Sequence, residues 1–149
     1  MKKLILSVLL VGLASSFFSC AKKTTPPNNS PTNSMTASIS GTAWTAKTLS
    51  PVANSVDITI IGTATDGSDI EMVMPPTVKA GTYSFSQSGD YTIEYSNTVT
   101  TFLVNGGSSS ILTITSYSNK VMVGTFTASV TGGGITKSIT SGTFTAIFP

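Results

Sequence analysis

A chain of 149 residues is long enough for one domain and short for two. It has no histidine, no arginine and only 9% charged residues, which removes an imidazole base, an ordinary zinc site and the basic footprint of a nucleic-acid binder. From Cys20 onward six lysines balance six acids, so no acidic partner is implied and no cofactor is expected.

The chain opens with "MKKLILSVLLVGLASSFFSC", which has the parts of a bacterial export signal. Lys2 and Lys3 are the basic start, and Leu4 to Leu13 is an apolar stretch too short to span a bilayer comfortably. Cys20 is the one cysteine, so it has no internal disulfide partner. "FFSC" resembles the lipobox of bacterial lipoproteins, with small Ser19 before the Cys and Phe17 where Leu is usual. The resemblance implies cleavage before Cys20, lipidation of its thiol and acylation of the new amine. Three acyl chains would anchor the protein stably where one alone holds marginally. Ala21 is not the Asp that retains enterobacterial lipoproteins in the inner membrane, and Lys22 and Lys23 replace the acids of surface-exported ones. The expected location is therefore the outer membrane, facing the periplasm, with the lipid as the membrane contact.

"AKKTTPPNNSPTNSMTA" follows, rich in Pro, Asn and Thr and almost without apolar residues. Such a segment cannot bury enough surface to offset its ordering entropy. The expected organisation is a signal peptide over 1–19, a lipidated Cys and disordered tether over 20–37, and one domain over 38–149. A flexible tether of that length reaches about 20–25 Å.

The domain alternates apolar and polar residues in short runs, the period of a strand with one buried face. The inward sets are Val56, Ile58 and Ile60; Ile70, Met72 and Met74; Tyr83 and Phe85; Tyr91, Ile93 and Tyr95; and Leu112 and Ile114. "TDGSD", "PPTVKAG", "SQSGD", "NGGSSS", "YSNK" and "TGGG" separate them as turns. About eight or nine strands are expected, in an all-β antiparallel sandwich or flattened barrel.

Gly-Thr-Phe-Thr-Ala occurs twice, at Gly124–Ala128 and Gly142–Ala146. A four-residue loop at Thr131–Gly134 would place Val130 opposite Ile135 and Phe126 opposite Ile139. Ile135 and Ile139 are odd-numbered, whereas Phe144, Ala146 and Phe148 are even. One strand buries both sets on one face only with an extra residue, expected as a bulge at Ser141-Gly142. Gly142 would then lie opposite Gly124, and Phe144 opposite Met122. "ISGTAWTA" repeats the odd spacing between Ile39 and Trp44, so a second bulge is expected near Gly41.

The carboxylates are Asp57, Asp66, Asp69, Asp90, Glu71 and Glu94. A glycan hydrolase would need two of them across a cleft. Glu71 and Glu94 fall on the outward phase of their strands. "DGSD" at Asp66–Asp69 lacks the alternating acids of a calcium loop and reads as a turn. Trp44, Tyr83, Tyr91, Tyr95 and Tyr117 are the candidates for a sugar-binding face, with Trp44 expected in the core and Tyr117 at the surface. No catalytic or metal site is expected.

"ISGTAWTA", "AGTYSF", "ILTIT", "VGTFTA" and "ITSGTFTA" together resemble a family of small Bacteroidota-type lipoproteins of unknown function. The likeness runs from Ile39 to the end and implies a lipid-anchored β-sandwich, with no site residues to carry over. The expected role is a non-catalytic envelope module that binds an envelope protein or a glycan. The alternative is a carboxylate-dependent hydrolase or a carbohydrate-binding module.

Overall fold

A computed structural model describes residues 30–107 and 109–149. Cys20, the signal segment and most of the expected tether lie outside the described residues. Ten strands follow in order: β1 (Ser34–Ile39), β2 (Thr42–Ala53), β3 (Ile58–Ala64), β4 (Asp69–Met74), β5 (Gly81–Ser84), β6 (Thr92–Ser96), β7 (Thr101–Val104), β8 (Ile111–Ser118), β9 (Val121–Gly132) and β10 (Ile135–Ile147). Every pairing is antiparallel. The all-β expectation holds, and the architecture is a barrel.

Eight strands close the ring in the order β10-β1-β2-β3-β4-β6-β7-β9, with β9 returning to β10. β9 is long enough to serve two partners along one edge. Its Val130 and Thr131 pair with β7, while Val121 to Thr127 pair with β8, and β5 lies outside β8. Ser129 sits at the division. Its carbonyl accepts from the Asn105 N–H at 2.9 Å, and its N–H donates to the buried Ser110 hydroxyl at 3.1 Å. Those two bonds satisfy the backbone where the sheet forks, so no polar group is stranded there.

An eight-stranded barrel is just wide enough to be filled by side chains. Met35, Ile58, Ile60, Ile70, Met72, Met74, Ile93, Leu112, Ile114 and Met122 fill this one, together with Phe85, Phe126 and Phe144. The period-2 phases therefore hold for β3, β4, β6 and β8. Val56 departs from its expected phase because it lies in the Asn54–Asp57 turn, where its N–H donates to the Asn54 side chain at 2.7 Å. It is 77% exposed.

Two boundaries also differ from expectation. Ser34–Ala37 is not tether but the first part of β1, zipped between β2 and β10, with Met35 1% exposed. Alternating Met35, Ala37 and Ile39 supply the buried face that the polar composition of the neighbouring residues hides. The expected bulge near Gly41 is a turn. Ser40 and Gly41 have φ of 49° and 87°, and Ile39 pairs with Thr42. Positive φ at both central residues is the pattern of a type I′ hairpin, whose twist matches the strands. Asn119-Lys120 (49° and 63°) and Gly133-Gly134 (58° and 77°) repeat it between β8 and β9 and between β9 and β10. The second bulge becoming a turn splits one expected strand in two, which accounts for the extra strand.

The third of these hairpins corrects the expected register. The loop is two residues, not four, so Gly132 pairs with Ile135 and Ala128 with Ile139. Ile135 is left at the rim, 60% exposed. The bulge itself is present: Thr140 and Ser141 stand against Thr127 alone, between the pairs Ile139–Ala128 and Gly142–Phe126. Ser141 carries the positive φ of 52°, rather than Gly142. The repeated glycines do not face each other. Gly124 pairs with Phe144 and Gly142 with Phe126, so each glycine lies under the phenylalanine of the other copy.

The outer surface carries a threonine row and a cluster of acids. Six threonines, Thr82, Thr113, Thr125, Thr143, Thr36 and Thr45, are register partners in one row across β5, β8, β9, β10, β1 and β2. Neighbouring hydroxyls meet at 3.0 Å for Thr36 and Thr143 and at 3.4 Å for Thr82 and Thr113. Such cross-strand pairs tie a sheet together at its surface. Away from this row, β4 and β6 carry the acids Asp69, Glu71 and Glu94.

Candidate functional site

One end of the barrel gathers groups of different chemistry. The β1–β2 hairpin, the β3–β4 turn, β6 and β10 surround a cleft of about 210 Å³. Its lining includes Trp44, Asp66, Tyr95 and Lys137. Trp44 comes from β2 and Tyr95 from β6. Both are on the inward phase, and they are only 6% and 8% exposed.

Trp44 is held by a relay. Its indole N–H donates to the buried Ser68 hydroxyl at 2.8 Å, and that hydroxyl donates to Asp66 Oδ1 at 2.6 Å. The Ser68 N–H donates to the same oxygen at 3.0 Å. Hydrogen bonds from the Ser68 hydroxyl and then its backbone hold the Asp66 carboxyl below the ordinary aspartate value, against a small opposing effect of burial. "TDGSD" is thus the turn expected of it, with Gly67 at φ 80° and the Gly67 N–H on the Ala64 carbonyl. Asp69 leaves the turn and pairs with Ser96 on the strand face. Among the described residues no group of three or more potential metal ligands assembles.

Lys137 reaches the cleft because of the bulge. Before Thr140, the odd-numbered residues of β10 face inward with Ile139; after Ser141 the even-numbered ones do. Lys137 therefore belongs to the inward phase, opposite buried Val130, and its ammonium lies over the Phe102 ring, 5.2 Å from the centroid. Tyr95 also packs against Phe102, the two rings 5.7 Å apart. Lys137 and Asp66 line the same cleft without pairing to each other. Sequence reasoning did not single out Lys137, although the bulge it placed at Ser141-Gly142 already implied the change of phase.

The other sequence candidates fall elsewhere. Glu71 and Glu94 are brought together as direct register partners on β4 and β6. Burial first, then Glu94, Asp69 and Asp57, push the Glu71 carboxyl above its ordinary value. The two carboxylates project from one wall of the sheet. A groove of about 330 Å³ beside them is lined by Glu94 and Leu103 but not by Glu71. The groove is therefore lined by one acid of the pair and not by two carboxylates facing each other across it. Asp57 caps the β2–β3 turn by accepting from the Asn54 amide at 2.8 Å, and Asp90 lines a separate groove with Val56.

Tyr83 and Tyr91 stack at 4.3 Å, and the Tyr83 hydroxyl donates to the Lys79 carbonyl. Tyr117 is not at the surface as expected but half-buried against Phe148, 5.6 Å between rings. None of the three tyrosines faces the cleft. A groove of about 370 Å³ at the bulge, over Thr125 and Thr143, holds no ionisable group. Compared with protein-family models, curated proteins and solved structures, the chain gives no match.

Proposed function

We propose that the protein is a lipid-anchored, non-catalytic binding module of the cell envelope, attached through Cys20 and binding through the barrel mouth. One observation carries this reading: the direction of β1. The chain enters β1 at Ser34, beside Thr145 near the end of β10, and leaves it at Ile39, on the rim of the cleft. Asn33 is fixed at the entry end, its side-chain oxygen accepting the Ile147 N–H at 2.6 Å. An anchor on the N-terminal segment therefore holds the far end of the barrel, and the mouth with Trp44, Asp66, Tyr95 and Lys137 points away from it. That is the polarity a tethered receptor needs. The mouth of a β-barrel is also a common place for a ligand site.

Labelling with a fatty acid in a lipoprotein-processing host tests the anchor. Label should enter the wild type and be absent from Cys20→Ser; equal labelling of both would end this reading. On intact cells the domain should resist added protease, as an outer-membrane protein facing the periplasm does.

A further inference from the structure

We infer that the barrel mouth takes a small zwitterion, a ligand with one carboxylate and one ammonium on the scale of a dipeptide. This rests on the mouth being the binding end. The cleft is below the ~300–1,000 Å³ of sites for drug-sized molecules, so it admits a fragment of one or two residues rather than an oligomer.

Its charges select among small ligands. Asp66 is held ionised by two hydrogen bonds to one of its oxygens, Oδ1, and neither bond uses Oδ2. Lys137 rests on an aromatic face instead of a carboxylate. A simple anion attracted by Lys137 meets the Asp66 charge in the same cleft, and a simple cation attracted by Asp66 meets Lys137. A neutral sugar would need an aromatic face to stack on, and Trp44 and Tyr95 are more than nine-tenths buried. A ligand with both charges satisfies both groups at once, its carboxylate on Lys137 and its ammonium on Asp66, each as a charge-assisted hydrogen bond. Its middle then lies against Trp44 and Tyr95 in the cleft wall.

Trp44 is the sole tryptophan, and its indole N–H is linked through Ser68 to Asp66. Its fluorescence and its indole N–H resonance therefore report on the mouth directly. The experiment titrates the folded domain with glycylglycine, N-acetylglycylglycine, glycylglycinamide and maltose. Glycylglycine should give a saturable change, with each singly charged analogue at least about tenfold weaker. Lys137→Met should bring glycylglycine down to the level of glycylglycinamide. Asp66→Asn should bring it down to that of N-acetylglycylglycine. Equal binding of all three peptides, or a response to maltose alone, would overturn the zwitterion and leave the mouth as the binding end. No response of Trp44 to any probe would overturn both.

Discussion

A methyl group on Gly124 would sit 2.5 Å from the Thr113 carbonyl oxygen and 2.7 Å from the Phe144 ring. One on Gly142 would sit 2.5 Å from the Phe126 carbonyl oxygen and 2.6 Å from the Phe126 ring. The repeated pentapeptide is thus a reciprocal device: each glycine leaves room for the other copy's ring, and the two rings meet at 6.3 Å inside the barrel. Gly124→Ala and Gly142→Ala should each destabilise by about 1–3 kcal/mol, read from the denaturant midpoint. Phe144→Leu should rescue Gly124→Ala only in part, because the Thr113 carbonyl cannot move aside as a side chain can. Phe126→Ala and Phe144→Ala should cost about 3–5 kcal/mol through the cavity they leave. Thr125→Ala, on the outer face, should cost under about 1 kcal/mol. A melt unaffected by either glycine substitution would show that the rings lie elsewhere.

Among the elements, the three two-residue hairpins differ in how well their residues suit the turn. Gly133-Gly134 adopts positive φ without a Cβ penalty, whereas Asn119-Lys120 puts a long side chain at φ 63°. A non-glycine residue in that region costs roughly 1–2 kcal/mol. Lys120→Gly should therefore raise stability, by about 1 kcal/mol once the extra freedom of glycine in the unfolded chain is set against the relief. The Lys120 ammonium also donates to the Pro149 oxygen at 2.6 Å, an exposed contact of little weight. A fall in melting temperature for Lys120→Gly would mean that this contact outweighs the turn. The bulge is the other element with a consequence beyond itself. By changing the phase of β10 it buries Ile139 and Phe144 on one side of the sheet and turns Lys137 toward the mouth.

Over the whole molecule, the acids Asp69, Glu71 and Glu94 cluster on β4 and β6, away from the threonine row that crosses β5, β8, β9, β10, β1 and β2. The cost of this clustering falls on Glu71, whose carboxyl is partly buried and faces Glu94 across β4 and β6 with Asp69 nearby. Its folded-state pKa is raised, so the fold favours the neutral acid. The stability Glu71 contributes is present below its unfolded pKa and is lost as pH rises through the raised folded value. At pH 7 the charged pair should be destabilising by about 0.2–1 kcal/mol, as like charges directly opposite are. Glu71→Gln should recover that amount at neutral pH, and its advantage should vanish as pH falls below 4.5, the ordinary glutamate value. Asp66 works in the opposite sense. Its lowered pKa gives stability present at neutral pH and lost in acid, in wild type and variant alike. A constant difference between the two proteins from neutral to acid pH would show that neither burial nor Glu94 disfavours the Glu71 charge.

Local pattern was enough for the faces and most turns. Ile70, Met72 and Met74 bury one side of β4 and expose the other because a strand alternates, whatever its neighbours are. The odd spacing between Ile139 and Phe144 revealed the bulge for the same reason: one face cannot hold both without an inserted residue. The sequence left the loop length at Gly133-Gly134 open, since a two-residue and a four-residue loop keep the same alternation. That choice decides whether Gly142 meets Gly124 or Phe126. Closure was equally out of reach. β1 pairs with β10 across more than a hundred residues, and β9 divides one edge between β7 and β8 at Ser129. Nothing in a strand's own alternation names its partner, so only the folded chain could bring Trp44, Asp66, Tyr95 and Lys137, from four separate strands and turns, to one rim.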